Sequence, residues 1–167
     1  MNLRLEPLSL DHLDGVMTWV NDPEVTFYFA RLGHVSREEE AAYLQKLIDS
    51  PTDEVYSIFD GDEYLGQVGL NQIYRPAQVA RLGILLPQHA WGRGVAREAV
   101  SKLLDLAFEG GLHKLWLQVR TDNAKGLHLW TSMGFRLEGI MREEYRVNGR
   151  YYDMARLALL ETEWTPS

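Results

Sequence analysis

The chain has 167 residues, five histidines, no cysteine and a formal net charge of −7. Its length suits a core that needs no covalent staple, and the absent cysteines exclude disulfides, a thiolate metal site and a cysteine nucleophile. The acidic balance argues against a general nucleic-acid binder and suits a cationic acceptor, although solubility alone also favours acidity.

The first residues, Met1-Asn2-Leu3-Arg4-Leu5-Glu6, lack a basic head followed by an apolar core. No run approaches the roughly 18 apolar residues of a membrane span, so a cytoplasmic protein without a membrane partner is expected. Alternation over 2–5 predicts a first strand, and Ser9 is placed to cap a helix running through Trp19. Asn21-Asp22-Pro23 ends that helix, because the residue before proline avoids helical geometry. Ser36-Arg37-Glu38-Glu39 has the capping-box pattern and is followed by Ala41, Leu44, Leu47 and Ile48 at helical spacing. An aromatic connector, about 25–34, joins the two helices. Strands are then predicted over about 55–59, 64–73 and 79–86, separated by Asp60-Gly61-Asp62 and Tyr74-Arg75-Pro76. Ala96, Val100, Leu103, Leu104 and Ala107 mark one face of the next helix, which Gly110-Gly111 stops. A strand over 115–119 follows, then a short helix from Asn123 to about Met133 that Gly134 ends, and two strands about the Asn148-Gly149 turn. The histidines are scattered, without an H-E-x-x-H pattern, so no metal site is expected.

Most chemistry is carried by Gln88-His89-Ala90-Trp91-Gly92-Arg93-Gly94-Val95-Ala96, which joins the apolar run Leu82 to Leu86 to an amphipathic helix. A strand that turns through two glycines into a helix start aims backbone N–H groups at the positive end of the helix dipole, which suits a phosphate. No Lys-Ser or Lys-Thr pair follows the glycines, so a nucleotide-hydrolysing loop is disfavoured. A dinucleotide fingerprint is incomplete, since its third glycine would be Arg97. Taken alone, the segment is equally readable as a tight turn that needs small residues.

Three further blocks narrow the choice: Asn123 with Leu127-His128-Leu129-Trp130, Met133-Gly134-Phe135-Arg136-Leu137-Glu138-Gly139, and Tyr145-Arg146-Val147-Asn148-Gly149-Arg150-Tyr151-Tyr152-Asp153. With the glycine loop they resemble the GNAT superfamily of N-acetyltransferases over most of the chain. The last block is similar to the closing hairpin of the branch with spermidine and ribosomal-protein N-terminal acetyltransferases. The resemblance implies one α/β (α+β) domain over 1–167, with a mixed, mainly antiparallel sheet flanked by helices. It also implies acetyl-CoA as cosubstrate, its pyrophosphate on the amides of Trp91, Gly92, Arg93, Gly94, Val95 and Ala96. The pantetheine arm would run beside Ile84, Leu85 and Leu86, and Asn123 would contact the cofactor or serve as a helix cap. Arg93 is either a phosphate partner or a solvated arginine. Trp91 stands where the family usually has Gln or Arg.

The implied reaction is direct attack of a neutral amine on the thioester, its carbonyl polarised by a strand N–H near Leu85. The usual catalytic groups do not carry over. The tyrosine that protonates the thiolate in many relatives aligns with Trp130, the serine of the ribosomal-protein branch with Gly126, and a frequent glutamate base with Arg81. Water or Tyr145 is left to handle the proton. The acceptor slot is expected among Trp19, Phe27, Tyr28, Phe29, Tyr145 and Tyr152, with Asp22, Glu24, Glu143, Glu144 or Asp153 holding a cation, while core packing is the competing reading for each aromatic. The acceptor is expected to be a small amine or polyamine. A protein N-terminus, an aminosugar or aminoglycoside, and a CoA-binding sensor without catalysis are the alternatives. A homodimer is compatible with the resemblance.

Overall fold

The strands are β1 (Leu3–Pro7), β2 (Glu54–Asp60), β3 (Glu63–Tyr74), β4 (Val79–Leu85), β5 (Lys114–Arg120), β6 (Arg136–Val147) and β7 (Arg150–Leu160). In the computed structural model, which describes residues 1–28 and 33–166, they form one seven-stranded sheet in the order β1-β2-β3-β4-β5-β7-β6. Every neighbouring pair is antiparallel except β4 with β5. The sheet is therefore mixed and mainly antiparallel, as expected.

The helices are α1 (Leu13–Met17), α2 (Arg37–Asp49), α3 (Val95–Glu109) and α4 (Ala124–Ser132). One sheet face meets α3 and α4 through Leu65, Val68, Leu82, Val100, Leu103, Leu115, Leu157 and Trp130, all buried. The other meets α1 and α2 through Val16, Trp19, Val20 and Leu44, with Val55, Tyr64 and Leu85 packed against them. Strand alternation sends successive residues to these two cores, so Ile84 belongs to the first and Leu85 to the second. A fully buried leucine contributes about 1.5–3 kcal/mol, which makes both layers substantial.

Local signals act as written for α2: the Ser36 hydroxyl accepts from the Glu39 amide at 3.1 Å, and the Glu39 carboxylate accepts from the Ser36 amide at 2.8 Å. The helix expected over 9–19 differs. Ser9 caps a single 3-10 turn, Leu10–His12, and α1 ends at Met17. Within it, Gly15 packs tightly on β3: a Cβ there would lie 2.6 Å from the Tyr64 ring.

β4 and β5 pair only through Val79, Ala80 and Arg81 against Lys114, Leu115 and Trp116, then diverge. Among the described residues, the edge of β4 from Leu82 to Leu85 has no strand partner on that side, and the resulting opening positions the site.

Candidate functional site

The divergence opens a cleft of about 410 Å³ that reaches from α4 through the sheet to α2. Its walls include Leu82, Gly83, Ile84 and Leu85 of β4, Leu117 to Arg120 of β5, and Asn123, Gly126, Leu129 and Trp130 around α4. On the α2 side it is lined by Tyr43, Gln67, Gly69, Asn71 and Arg81. An extended molecule with amide groups suits the free β4 edge, because it can pair there as an added strand would.

At the mouth, Gly92 and Gly94 adopt φ of 68° and 79°, a left-handed conformation that favours glycine. Gly94 is the N-cap residue of α3 and no side chain caps that helix. The amides from Gly92 to Arg97 donate to nothing among the described residues. This is a donor-rich helix start open to an anion, so the residues present fit a pyrophosphate.

The other residues expected at the cofactor make different contacts. The Arg93 guanidinium forms two bonds to Glu63, at 2.9 and 3.0 Å, and one to the His89 carbonyl at 3.3 Å. It is therefore occupied as an ion-pair partner, which holds the Glu63 carboxyl below its ordinary range. Trp91 is half exposed and its indole N–H donates to the Leu86 carbonyl at 2.9 Å, bracing the loop. Asn123 caps α4, its side-chain oxygen accepting from the Gly126 amide at 3.0 Å, and it also lines the cleft. A Cβ at Gly126 would lie 2.8 Å from the Asn123 Nδ2, so glycine there leaves room for the cap. Trp130 is buried edge-on against Phe135, with ring centroids 5.4 Å apart.

The acceptor-side expectations are partly redistributed. Trp19 is a correction: only 4% exposed, it packs in the second core and donates its indole N–H to the Tyr64 hydroxyl at 3.2 Å. Burial pushes the Tyr64 hydroxyl up to about 12, so it stays neutral. Tyr28 and Tyr152 do converge, around Arg120, whose guanidinium lies 4.9 and 3.6 Å from their ring centroids. Arg120 is 3% exposed, pairs with Asp122 at 2.7 and 3.0 Å, and donates to the Phe27 carbonyl at 3.3 Å. Its hydrogen bonds hold the Asp122 carboxyl low. Tyr145 faces Tyr152 across the β6–β7 ladder, half-buried and away from the cleft walls. Glu144 is exposed beside a bulge in β6, where the Glu143 amide donates to Asp153 at 2.8 Å. Asp22 accepts from Gln88 at 2.7 Å and from the Glu24 amide at 2.9 Å, tying the connector to the cofactor loop. Phe29 lies outside the described residues.

The sequence reading missed the polar floor: Gln67, Asn71, Gln118 and Arg120 as wall residues, and Tyr43 from α2. Burial, then the Glu40 and Asp53 carboxylates, push the Tyr43 hydroxyl up. The available signal was polar residues at alternate positions of otherwise apolar strands. Among the described residues, no group of His, Asp and Glu could hold a metal ion, and no helix is long and apolar enough to cross a membrane.

A splayed mixed sheet with a free strand edge and a donor-rich helix start defines an acyl-CoA-handling α/β protein. The family described as "Acetyltransferase (GNAT) domain" matches residues 2–136, and the chain belongs to it. It is 30% identical to the spermidine N(1)-acetyltransferase of Vibrio cholerae, over 97% of this chain and 95% of that protein. It is 29% identical to an uncharacterized N-acetyltransferase, p20, of Bacillus licheniformis, over 97% and 94%. An N-alpha-acetyltransferase, RimI, of Mycobacterium tuberculosis matches 65% of this chain and 68% of its own length at 34% identity. Among solved structures, the Vibrio cholerae spermidine N-acetyltransferase in complex with CoA and spermine superposes with a TM-score of 0.90 at 28% identity, covering 96% of each chain. The protein is an acetyl-CoA-dependent N-acetyltransferase.

Proposed function

We propose that the β4–β5 cleft is the transfer site, with the pyrophosphate held by the amides of 92–97, the pantetheine arm along Ile84, Leu85 and Leu86, and a small primary amine entering from the α2 side. The observation that carries this reading is the unpartnered β4 edge lying between a donor-rich loop and a polar floor. Acetyl-CoA supplies a thioester carbonyl open to direct attack by a neutral amine. A backbone N–H of β4 near Leu85 polarises that carbonyl, and the cleft walls hold the two reactants together. Trp91, Gly92, Arg93, Gly94, Val95 and Ala96 shape the loop, in which Arg93 acts through Glu63 and Trp91 through Leu86. Asn123 fixes the start of α4 and lines the cleft.

No side chain stands out as acid or base. Trp130 and Gly126 occupy the positions of two acids in relatives, Arg81 that of a base, and Tyr145 lies off the cleft walls. Water takes the proton from the amine and returns one to the thiolate. Tyr28 and Tyr152 lie against Arg120, which lines the cleft, and back the acceptor side from behind that wall, with Glu144 exposed on β6.

Within the class of small amines, the relatives named as spermidine N-acetyltransferases and the chain's net charge of −7 support an acceptor that carries at least one ammonium besides the reacting amine, a polyamine being one such acceptor. The test is thiol release from acetyl-CoA against polyamines, aminosugars, aminoglycosides, amino acids and short peptides, with calorimetric titration of CoA alongside. Turnover of a small amine is expected. Turnover of peptides alone would transfer the reading to a protein N-terminus, and CoA binding without any turnover would replace it with a sensor.

A further inference from the structure

The floor of the cleft carries a cation with no anion to meet it. Arg81 is half-buried on the wall and has no carboxylate partner among the described residues. Its neighbours show that this is a departure. Arg120 is paired with Asp122, and Arg156 with Glu138 at 3.3 Å. Glu138 is shared between Arg156 and Lys114, the latter at 2.7 Å, and Asp53, the carboxylate beside Asn71, accepts from the Asn71 side-chain amide at 2.7 Å. Arg81 is also held in place: its guanidinium lies 5.7 Å from the Trp116 ring centroid, while Arg156 stacks on the same ring at 4.0 Å. A half-buried guanidinium held beside a ring, on a residue that lines the cleft, suits a planar anion.

Two hydrogen-bond acceptors complete the row. Gln67 is 8% exposed, lines the cleft, and its side-chain oxygen has no donor. The Asn71 side chain donates its Nδ2 to Asp53 at 2.7 Å, which leaves its oxygen over Gly83, 3.5 Å from where a Cβ there would sit. Gln67 is opposite Leu85, Gly69 opposite Gly83, and Asn71 opposite Arg81. All lie on the face turned to α2, so the trough runs from the reacting end at Leu85, across the Gly83 floor, to the guanidinium. Four strand residues span about 13 Å between Cα positions, and the Gln and Arg side chains shorten the gap that a ligand must bridge.

From this geometry we infer that the preferred acceptor is a small amino acid whose reacting amine lies several bonds from its carboxylate, as in the side-chain amine of lysine or ornithine. The inference rests on the reading of the cleft as the acceptor site for a small primary amine, and it narrows that class. The carboxylate pairs with Arg81, and the amine donates to the Gln67 oxygen beside Leu85. The amine nitrogen bonds to the acetyl carbon, the carbon–sulfur bond breaks, and the proton lost by nitrogen reaches the thiolate through water. Lysine and ornithine also carry an α-ammonium at that end, but their carboxylate offsets it; a diamine presents the ammonium to the guanidinium with no carboxylate, a like-charge contact that works against binding.

Matched pairs isolate the carboxylate: lysine against cadaverine, and ornithine against putrescine, each with acetyl-CoA and thiol release as the readout. The amino acid is expected to exceed its decarboxylated partner by about tenfold or more in kcat/KM, mainly through KM, the size of effect a charged hydrogen bond supports. Arg81→Ala should bring the ratio towards one and Arg81→Lys should restore part of it, with CoA titration reporting that each variant is folded. Preference for the diamine, or a ratio that Arg81→Ala leaves unchanged, overturns the inference while leaving the small-amine reading intact. No turnover of any small amine, with CoA bound, overturns both.

Discussion

Replacing Gly94 by Asp separates folding from cofactor binding. The residue has φ of 79° and ψ of 4° at the start of α3, and the atom nearest to an added Cβ is the Met1 Cε at 4.0 Å. Space is therefore available. The left-handed conformation costs an L residue about 1–2 kcal/mol, less for Asp or Asn, and the helix dipole returns about 0.3–1 kcal/mol to a carboxylate. Folding should change by about 1 kcal/mol, or about 2–4 °C in Tm. Binding should suffer more. A carboxylate about 5 Å from one phosphate charge repels it by about 1–3 kcal/mol at effective dielectric constants between 80 and 20, so CoA affinity should fall about five- to 150-fold. The assay is calorimetric titration of CoA at two salt concentrations, with thermal unfolding in parallel, because the repulsion should weaken as salt rises. Gly94→Asn supplies the same shape without charge and should stay within a few-fold of the parent. A folded Gly94→Asp protein with unchanged affinity, or an Asn variant equally impaired, would refute placement of the pyrophosphate on this loop.

Gly66 has φ of 126°, and a Cβ there would press on the Leu85 carbonyl oxygen. Gly66→Ala should cost about 2–4 kcal/mol and raise KM for acetyl-CoA, and an unchanged Tm would show that the β3–β4 contact is looser than described. Asp122→Asn should destabilise by about 1–2 kcal/mol at neutral pH, because Arg120 is buried while Asp122 is half exposed. The folded-state value of Asp122 lies below its ordinary 3.8, so its contribution is complete above that value and is lost as pH falls through the lowered one. The Tm gap between parent and variant should therefore close in strong acid, and a constant gap down to pH 3 would contradict the pairing. Trp130→Phe should cost about 1–2 kcal/mol of packing yet keep kcat within about tenfold. A loss of a hundredfold or more in kcat would mean that the indole N–H takes part in the reaction.

The parts of the fold visible in the sequence were those fixed by neighbours along the chain. The Ser36–Glu39 box, the apolar face of α3, the Gly110-Gly111 stop and the Asn148-Gly149 hairpin each act over a few residues, and each forms where expected. α1 is shorter than its local signals suggest, and its tight packing of Gly15 on Tyr64, far along the chain, is not written in those signals. The glycine loop and β4 were legible as an apolar strand turning through two glycines into a helix start, but the side-chain commitments around them were not. Arg93 finds Glu63 thirty residues upstream, and Arg120 reaches the Phe27 carbonyl across 93 residues. Pairings over such separations depend on sheet order, which no local pattern states. Gln67, Asn71 and Arg81 were readable only in part. Their alternation places them on one face of their strands, but that this face lines a cleft follows from the divergence of β4 and β5 after Arg81 and Trp116.

Amide hydrogen exchange with and without CoA addresses the placement of the transfer site most directly. The account predicts slowed exchange at the amides of 92–97 and along the free edge of β4 through Leu85, with the β1–β2 ladder unchanged. Protection confined to other segments, with the loop and the β4 edge exchanging as in the free protein, would contradict it.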